Sequence, residues 1–444
     1  MDTLCHKQLS FGSLFGKQVT AAFDGGRMSS DAGALLLREL DERYGVTEGA
    51  ARNLEDHRHR SWVLHELKTL LRQRIFSIAL GYDDNNDAAT LRSDPALKAS
   101  SGRLPETSGD LASSPTLCRF ENRATTKDLM RLADWLVELY LKTHPGPRDL
   151  VVIDLDATDD HTHGQQQLSF FHGYYAEHMY HPLLVFDGIS GFPLACVLRP
   201  GNTHASHRAK AVLKRLVKRL KRAYPKAQIL LRADAGFAVP GLYRFCERQG
   251  IRYTIGLITN ERLRAKVAPL VEKAEKRFRG SGEKQRLFTS FTYRAESWRR
   301  YRHVVAKVEY MAKGSNQRFV VTNIHLPPQR LYDEIYVLRG ETENRIKELK
   351  LELKADRLSC HRFLANQFRL FLHTFAYCLF WLLRQHLRGT EFASAQVGTL
   401  RLKLLKIGAR IRETSRRLWI HLASAYPYKR VFCHVVTTIR EAPT

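Results

Sequence analysis

The sequence predicts an α/β protein: a mainly helical N-terminal domain, an α/β core carrying an inserted antiparallel β subdomain, and a helical C-terminal region. Three observations lead there. Pro145-Gly146-Pro147 breaks a helical stretch, and the β-branched run Leu150–Asp156 that follows reads as a strand. A second buried-type strand, Gln228–Arg232, precedes a helix opening at Pro240 and a further strand at Tyr253–Leu257, the alternation that builds α/β sheets. Polar and apolar residues then alternate along 286–293, 303–310 and 318–324, as antiparallel strands require. The expected division is 1–145, 146–388 with the insertion at about 258–330, and 389–444.

In the N-terminal part, Leu64, Leu67, Leu70, Leu71, Ile75, Ile78 and Leu80 recur at helical intervals, which predicts a helix over Trp62–Leu80. Residues 92–115 carry Ser, Gly, Pro and Asp clusters and read as loops between helices. A DNA-binding role for this part rests on position and charge. Further on, Pro182–Asp187 and Pro193–Leu198 read as a hairpin turning at Gly188–Gly191. Leu213, Leu216, Val217 and Leu220 form one stripe of a helix whose other faces are basic, either a solvated outer face or a DNA contact. Long helices are expected over 331–388, and one more over Leu402–Ser424 with Gly408 inside it.

The 444 residues allow two or three domains at roughly 150 residues each. With 71 Lys plus Arg against 45 Asp plus Glu, the net charge of +26 points to a polyanionic partner, and its spread along the chain favours folded surfaces gripping a phosphate backbone. A membrane surface is the weaker alternative, since the sequence offers no amphipathic terminal helix or lipidation motif. The N-terminus lacks a secretory pattern, so a cytoplasmic, nucleoid-associated location is expected. The longest apolar run, Leu370–Leu383, falls short of the roughly 20 residues a membrane span needs and reads as a buried core helix. Seven cysteines without a C-x-x-C pair argue against a zinc ribbon and a disulfide framework.

Asp154 and Asp156 lie two apart on one strand and share a face, with Asp159 and Asp160 reading as caps of the turn beyond. Carboxylates so close repel unless a cation or protons neutralise them, which commonly marks a hard-metal site. Asp234 ends the neighbouring strand, at the edge where ligands gather in open α/β sheets. Tyr336, Arg339, Glu343 and Lys350 then form a Y-x2-R-x3-E-x6-K pattern. At about 100° per residue, Glu343 lies ~40° from Arg339 and Lys350 ~20° from Glu343, so an acid and two cations share one helical stripe. A surface helix laced with ion pairs is the plainer reading of such a segment. His161-Thr162-His163 has no further ligand at zinc spacing and reads as turn chemistry. The Trp298-Arg299-Arg300 cluster is a candidate for stacking a displaced base, although a Trp in such a setting is more often core.

These motifs, together with Asp154-Leu-Asp156-Ala-Thr158-Asp-Asp160, Gly164-Gln165-Gln166, Tyr180-His-Pro-Leu183, Leu198-Arg-Pro-Gly201-Asn202, Arg232-Ala-Asp234-Ala-Gly236-Phe237 and Phe319-Val-Val-Thr-Asn323, resemble the 1380 family of bacterial insertion-sequence transposases. The resemblance runs from Phe23-Asp-Gly-Gly26 and Asn85-Asn-Asp87 to Lys406-Ile-Gly-Ala-Arg410. It implies an RNase H-like core and DNA cleavage at insertion-sequence ends followed by strand transfer. It also implies a catalytic triad of Asp156, Asp234 and Glu343, which are the metal ligands too, with Asp154 as the alternative first acid. Tyr336, Arg339, Lys347, Lys350 and Arg232 are the implied DNA-binding residues. Two Mg2+ ions, with Mn2+ as substitute, would activate an attacking oxygen and stabilise the leaving one. Water would attack first to free a 3′-hydroxyl, which would then attack target DNA. The partners are double-stranded DNA, as terminal inverted repeats and target, and a second copy of the chain in a homodimer on DNA. The rival readings are an inactive transposase-derived DNA-binding protein and an RNase H-like nuclease without strand transfer.

Overall fold

The computed structural model describes residues 8–442, which divide into two compact units. The first takes the chain up to Arg123 and again from Phe375; the second is Ala124–Thr374. The expected boundaries differ, because the C-terminal segment joins the N-terminal unit and the helix before Pro145 joins the second.

The first unit opens with a hairpin, β1 (Leu9–Leu14) and β2 (Lys17–Ala21), and a short strand β3 (Met28–Ser29). Helices α1 (Ala34–Tyr44), α2 (Val46–Arg52), α3 (Leu67–Leu80), α4 (Ala88–Leu91), α5 (Pro95–Ser100) and α6 (Ser114–Asn122) follow. The helix expected from Trp62 starts at Leu67, and both Trp62 and Leu64 are exposed.

In the second unit α7 (Thr126–Thr143) begins at a capping box of Thr125 and Asp128. Then come β4 (Leu150–Ala157), β5 (Asp160–His161), β6 (Phe170–His172), β7 (Glu177–Tyr180), β8 (Leu183–Asp187) and β9 (Pro193–Val197). Next are α8 (Ala209–Ala223), β10 (Gln228–Ala233), α9 (Pro240–Arg248) and β11 (Arg252–Leu257). Helix α10 (Glu261–Ser281) leads into β12 (Gln285–Tyr293), β13 (Arg302–Met311) and β14 (Gly314–Thr322). The chain continues through α11 (Pro328–Arg330), α12 (Gly340–Lys347) and α13 (Phe363–His386). Back in the first unit lie α14 (Val397–Leu400), β15 (Ala409–Glu413), β16 (Leu418–Leu422) and α15 (Lys429–Glu441).

One eight-stranded sheet organises the second unit, in the order β12-β13-β14-β11-β10-β4-β8-β9. Strands β4, β10 and β11 are parallel, while β8 pairs antiparallel with β4 on one side and with β9 on the other. The central strands are covered on both faces, and β4 and β10 are buried along nearly their whole length. On α8 the predicted stripe of Leu213, Leu216, Val217 and Leu220 is buried, and two of its cations pair with α7: Arg215 with Asp134, and Arg219 with Glu138 at 2.7 Å. Lys214 and Lys218 remain exposed.

The inserted strands do not form a subdomain of their own. β14 pairs with β11 over Thr254–Leu257, so β12–β14 extend the core sheet. The insertion also contains α10, capped by Asn260 and burying Leu263, Val267 and Ala274 at helical spacing. A second correction concerns Leu402–Ser424, which is largely the β15–β16 hairpin instead of a helix. Arg410-Ile411-Arg412 alternates with a period of two, and Ala409 and Arg410 pair with Ser29 and Met28 of β3, a partner that lies far away in sequence.

Gly201 sits where backbone closes tightly on the three-stranded sheet β5-β7-β6: a Cβ there would lie 1.9 Å from the Met179 carbonyl oxygen and 2.5 Å from that of Phe170. Backbone cannot swing aside as a side chain can. Gly201→Ala is therefore expected to destabilise the protein by about 3 kcal/mol, and an unchanged denaturant midpoint would contradict this packing.

Candidate active site

Register places the acids. Because β4 and β10 are parallel with Asp154 beside Arg232 and Leu155 beside Ala233, the next step sets Asp156 beside Asp234 at the strands' carboxyl ends. Asp234 then caps a single turn, accepting the Gly236 N–H at 3.0 Å, and Asp156 accepts that of Ala157 at 2.9 Å. Gly256 of β11 keeps the space behind Asp234 open: a Cβ there would lie 2.7 Å from the Tyr336 hydroxyl.

The segment carrying the third acid rests on the sheet. Leu331 and Tyr332 are buried in a cluster with Val152, Leu230, Val305 and Val320, against which Tyr336 packs. The inserted strands thus seat the start of this segment. It is not one regular helix, since wide π-helical turns at Leu331–Tyr336 and Glu348–Glu352 flank α12. Arg339, at the residue before α12, still pairs with Glu343 four residues on, Nη2 to Oε1 at 3.1 Å, while Nη1 of the same guanidinium reaches Asp156 Oδ2 at 3.1 Å. Within the second wide turn, Lys350 donates to Asp159, to its carbonyl oxygen at 2.6 Å and its carboxylate at 3.0 Å.

Asp156, Asp234, Glu343, Arg339, Lys347 and Lys350 line one cleft of about 450 Å³ with Asp159 and Tyr175. Burial pushes the Asp156 carboxyl up to about 7, with Arg339 opposing and the Asp234 and Glu343 charges adding to the rise. Asp234 is raised as well, first by burial, against Arg339 and with Glu343. These directions follow from acids packed around one guanidinium. Burial also raises the Asp159 carboxyl, but Lys350 outweighs it and the net shift is downward.

The two strand aspartates differ sharply. Asp156 faces the cleft, whereas Asp154 is fully buried and held bidentately by Arg232, at 2.6 and 2.7 Å, with the Thr342 hydroxyl donating at 2.9 Å. Arg232, expected on DNA, is thus a correction: it is 4% exposed and spent on Asp154 and on the Ile335 and Gly188 carbonyls. Trp298 is buried against Tyr243 and Tyr293 with Arg302 over its ring, so the displaced-base reading gives way to the core one. Asp160, read as a turn cap, is a buried residue of β5 with no hydrogen bond to either carboxyl oxygen, and burial raises it well above the ordinary range. His161 lies between Asp159, at 2.9 Å, and Glu177.

Sequence reasoning missed Tyr175 and the anchoring role of Asp159. The aromatic run Phe170-Phe171-His172-Gly173-Tyr174-Tyr175 was the available signal for the first. Burial pushes the Tyr175 hydroxyl up to about 12, with Asp159, Asp156 and Asp234 adding to it.

Three carboxylates offer only oxygen donors, the set a hard divalent cation takes. Among the described residues no three Asp, Glu, His or Cys side chains converge as a ready-made metal site. The reason is visible in the geometry: Arg339 stands between Asp156 and Glu343 and supplies the positive charge there.

Because the folded-state value of Asp156, about 7, exceeds its ordinary 3.8, the protonated acid stabilises the fold. That contribution is complete below about pH 4 and is lost as pH rises through 7. With a chelator present, the wild type is expected to lose more thermal stability between pH 6 and 8 than Asp156→Asn. Equal losses in the two proteins would show that Asp156 titrates normally.

No helix among the described residues is long and apolar enough to cross a membrane. No curated protein matches the chain. Among solved structures, the piggyBac transposase synaptic complex with hairpin DNA is similar at 10% identity, covering 94% of this chain and 83% of that one with a TM-score of 0.42. Residues 11–444 match the family described as transposase DDE domain group 1, and since that match spans nearly the whole sequence, the chain belongs to this family of transposases.

Proposed function

We propose that the protein is a transposase of the 1380 insertion-sequence family with an RNase H-like core. It cleaves DNA at insertion-sequence ends and transfers the freed strand to target DNA, with Asp156, Asp234 and Glu343 as catalytic acids. The observation that carries this reading is the single cleft lined by all three acids together with Arg339, Lys347 and Lys350. The order β9-β8-β4-β10-β11, antiparallel on one side of β4 and parallel on the other, supports the RNase H-like assignment.

Asp156, Asp234 and Glu343 would hold the divalent cation, Mg2+ with Mn2+ as substitute, two ions in the full assembly. When bound, it supplies Lewis-acid stabilisation of the attacking and leaving oxygens of the phosphodiester. The chain's own residues do the rest. Burial of Asp156 and Asp234 strips water from their carboxylates and strengthens every charge interaction in the cleft. Arg339 and the exposed Lys347 bring positive charge to a phosphate at the rim, and Lys350, steadied by Asp159, adds to it. Tyr336, packed on the sheet, offers its hydroxyl beside Arg339. The partner is double-stranded DNA, bound as terminal repeats and target by a homodimer, in the nucleoid of a bacterial cytoplasm.

The test is a cleavage and joining assay on labelled DNA bearing the flanking inverted repeats, with and without Mg2+. Metal-dependent nicks at the repeat end and joined products are expected. Cleavage without joining would point to a nuclease, and binding without cleavage under any divalent ion would leave only a DNA-binding protein.

A further inference from the structure

Behind the three acids lies a second set of residues, each one or two positions from an acid. Asp154 precedes Asp156 by two on β4, Arg232 precedes Asp234 by two on β10, and Thr342 immediately precedes Glu343 on α12. Alternation puts each strand pair on one face. Parallel register then lays Arg232 directly against Asp154. On a helix neighbouring residues point about 100° apart, so Thr342 can face inward while Glu343 faces the cleft.

The contacts close the set. Arg232 grips both Asp154 oxygens, Nε to Oδ1 at 2.6 Å and Nη2 to Oδ2 at 2.7 Å, and Oδ2 also accepts the Thr342 hydroxyl at 2.9 Å. Its remaining nitrogen donates to the Ile335 carbonyl at 3.2 Å, holding the segment that leads into α12. Asp154 and Thr342 are fully buried. Space for the set is reserved by Gly188, where a Cβ would lie 2.5 Å from Arg232 Nη2 and 2.8 Å from Asp154 Oδ2. A buried carboxylate can hold a helix by a charge-assisted hydrogen bond because its own charge is met in place.

We infer that Asp154, Arg232 and Thr342 are positioning residues that set the height of Glu343 against Asp156 and Asp234. They touch neither DNA nor metal. Their work is to tie the helix-borne acid to the two strand-borne acids through one buried carboxylate, so that the cleft is preformed. This inference rests on the transposase reading above, yet it makes a separate claim about geometry.

Thr342 supplies the clean test, because Thr342→Val removes one hydroxyl while leaving the Asp154–Arg232 pair intact. The full-length wild type, Thr342→Val, Thr342→Ser and Glu343→Gln are compared in three readouts: single-turnover cleavage of saturating repeat DNA, DNA affinity, and Mn2+ affinity from the resonance of the free ion. Misplacing a catalytic group by about an ångström costs up to roughly 100-fold in rate. Thr342→Val is expected to cleave roughly 10- to 100-fold more slowly, to bind DNA as the wild type does, and to bind Mn2+ weakly like Glu343→Gln; Thr342→Ser restores both losses. Wild-type rate and Mn2+ affinity in Thr342→Val would overturn the inference, as would losses that serine fails to restore. If the wild type binds Mn2+ but never cleaves, the transposase chemistry falls while the Mn2+ comparison still decides the positioning claim. A wild type that neither cleaves nor binds Mn2+ overturns both.

Discussion

Asp156→Asn, Asp234→Asn and Glu343→Gln are each expected to slow cleavage of repeat-end DNA by roughly 1000-fold or more, since in the proposed function the three carboxylates act as one unit and removing any member disables it. Affinity for DNA should hold or rise, because each change removes a negative charge from the cleft proposed to receive phosphate. The same comparison settles the first acid. Asp154→Asn has no carboxylate to lose from the cleft, as its side chain is fully buried beneath Arg232. An active Asp156→Asn beside a folded but inactive Asp154→Asn would reverse the assignment. Loss of DNA binding in parallel with activity would point to misfolding and would leave the acids without a chemical role.

The largest stability effect is expected at the pair behind the cleft. Arg232→Met leaves the buried Asp154 carboxylate without its bidentate partner, with the Thr342 hydroxyl still donating to it and the Arg345 guanidinium no nearer than 4.0 Å. Breaking a buried pair in this way costs about 3–5 kcal/mol, which corresponds to a fall in the unfolding midpoint of roughly 10 °C for a unit of this size. Asp154→Leu should cost a similar amount by stranding the guanidinium. The double variant Asp154→Leu/Arg232→Met removes both charges together and is expected to lie closer to wild type than either single one. Additive losses in the double variant would mean that each residue is held by its other contacts and that the pair itself contributes little. The midpoint is read by calorimetry in the presence of a chelator, so that metal binding does not mask the effect.

Sequence by itself determined the elements whose pattern is local. The strands at 150–157, 228–233 and 252–257, the hairpin at 183–197 and the helix at Pro240–Arg248 lie where period and turn residues put them. It also brought forward the Asp154/Asp156 pair, Asp234 and Glu343 as candidate acids, while the choice of Asp156 over Asp154 came only from the family resemblance. Tertiary structure decided what depends on distant partners. Residues 409–422 became a hairpin because β3 pairs with β15, and the inserted strands joined the core sheet because β14 found β11. Asp154 and Asp156 are equivalent in sequence, two apart on one strand face. Only the burial of the first against Arg232 and Thr342, and the opening of the second onto the cleft, separates them. Lys350 shows the same limit: helical periodicity put it on one side with Glu343, where both line the cleft, but could not show that its ammonium is held by Asp159. Periodicity is a property of neighbours along the chain, whereas burial and pairing are properties of neighbours in space.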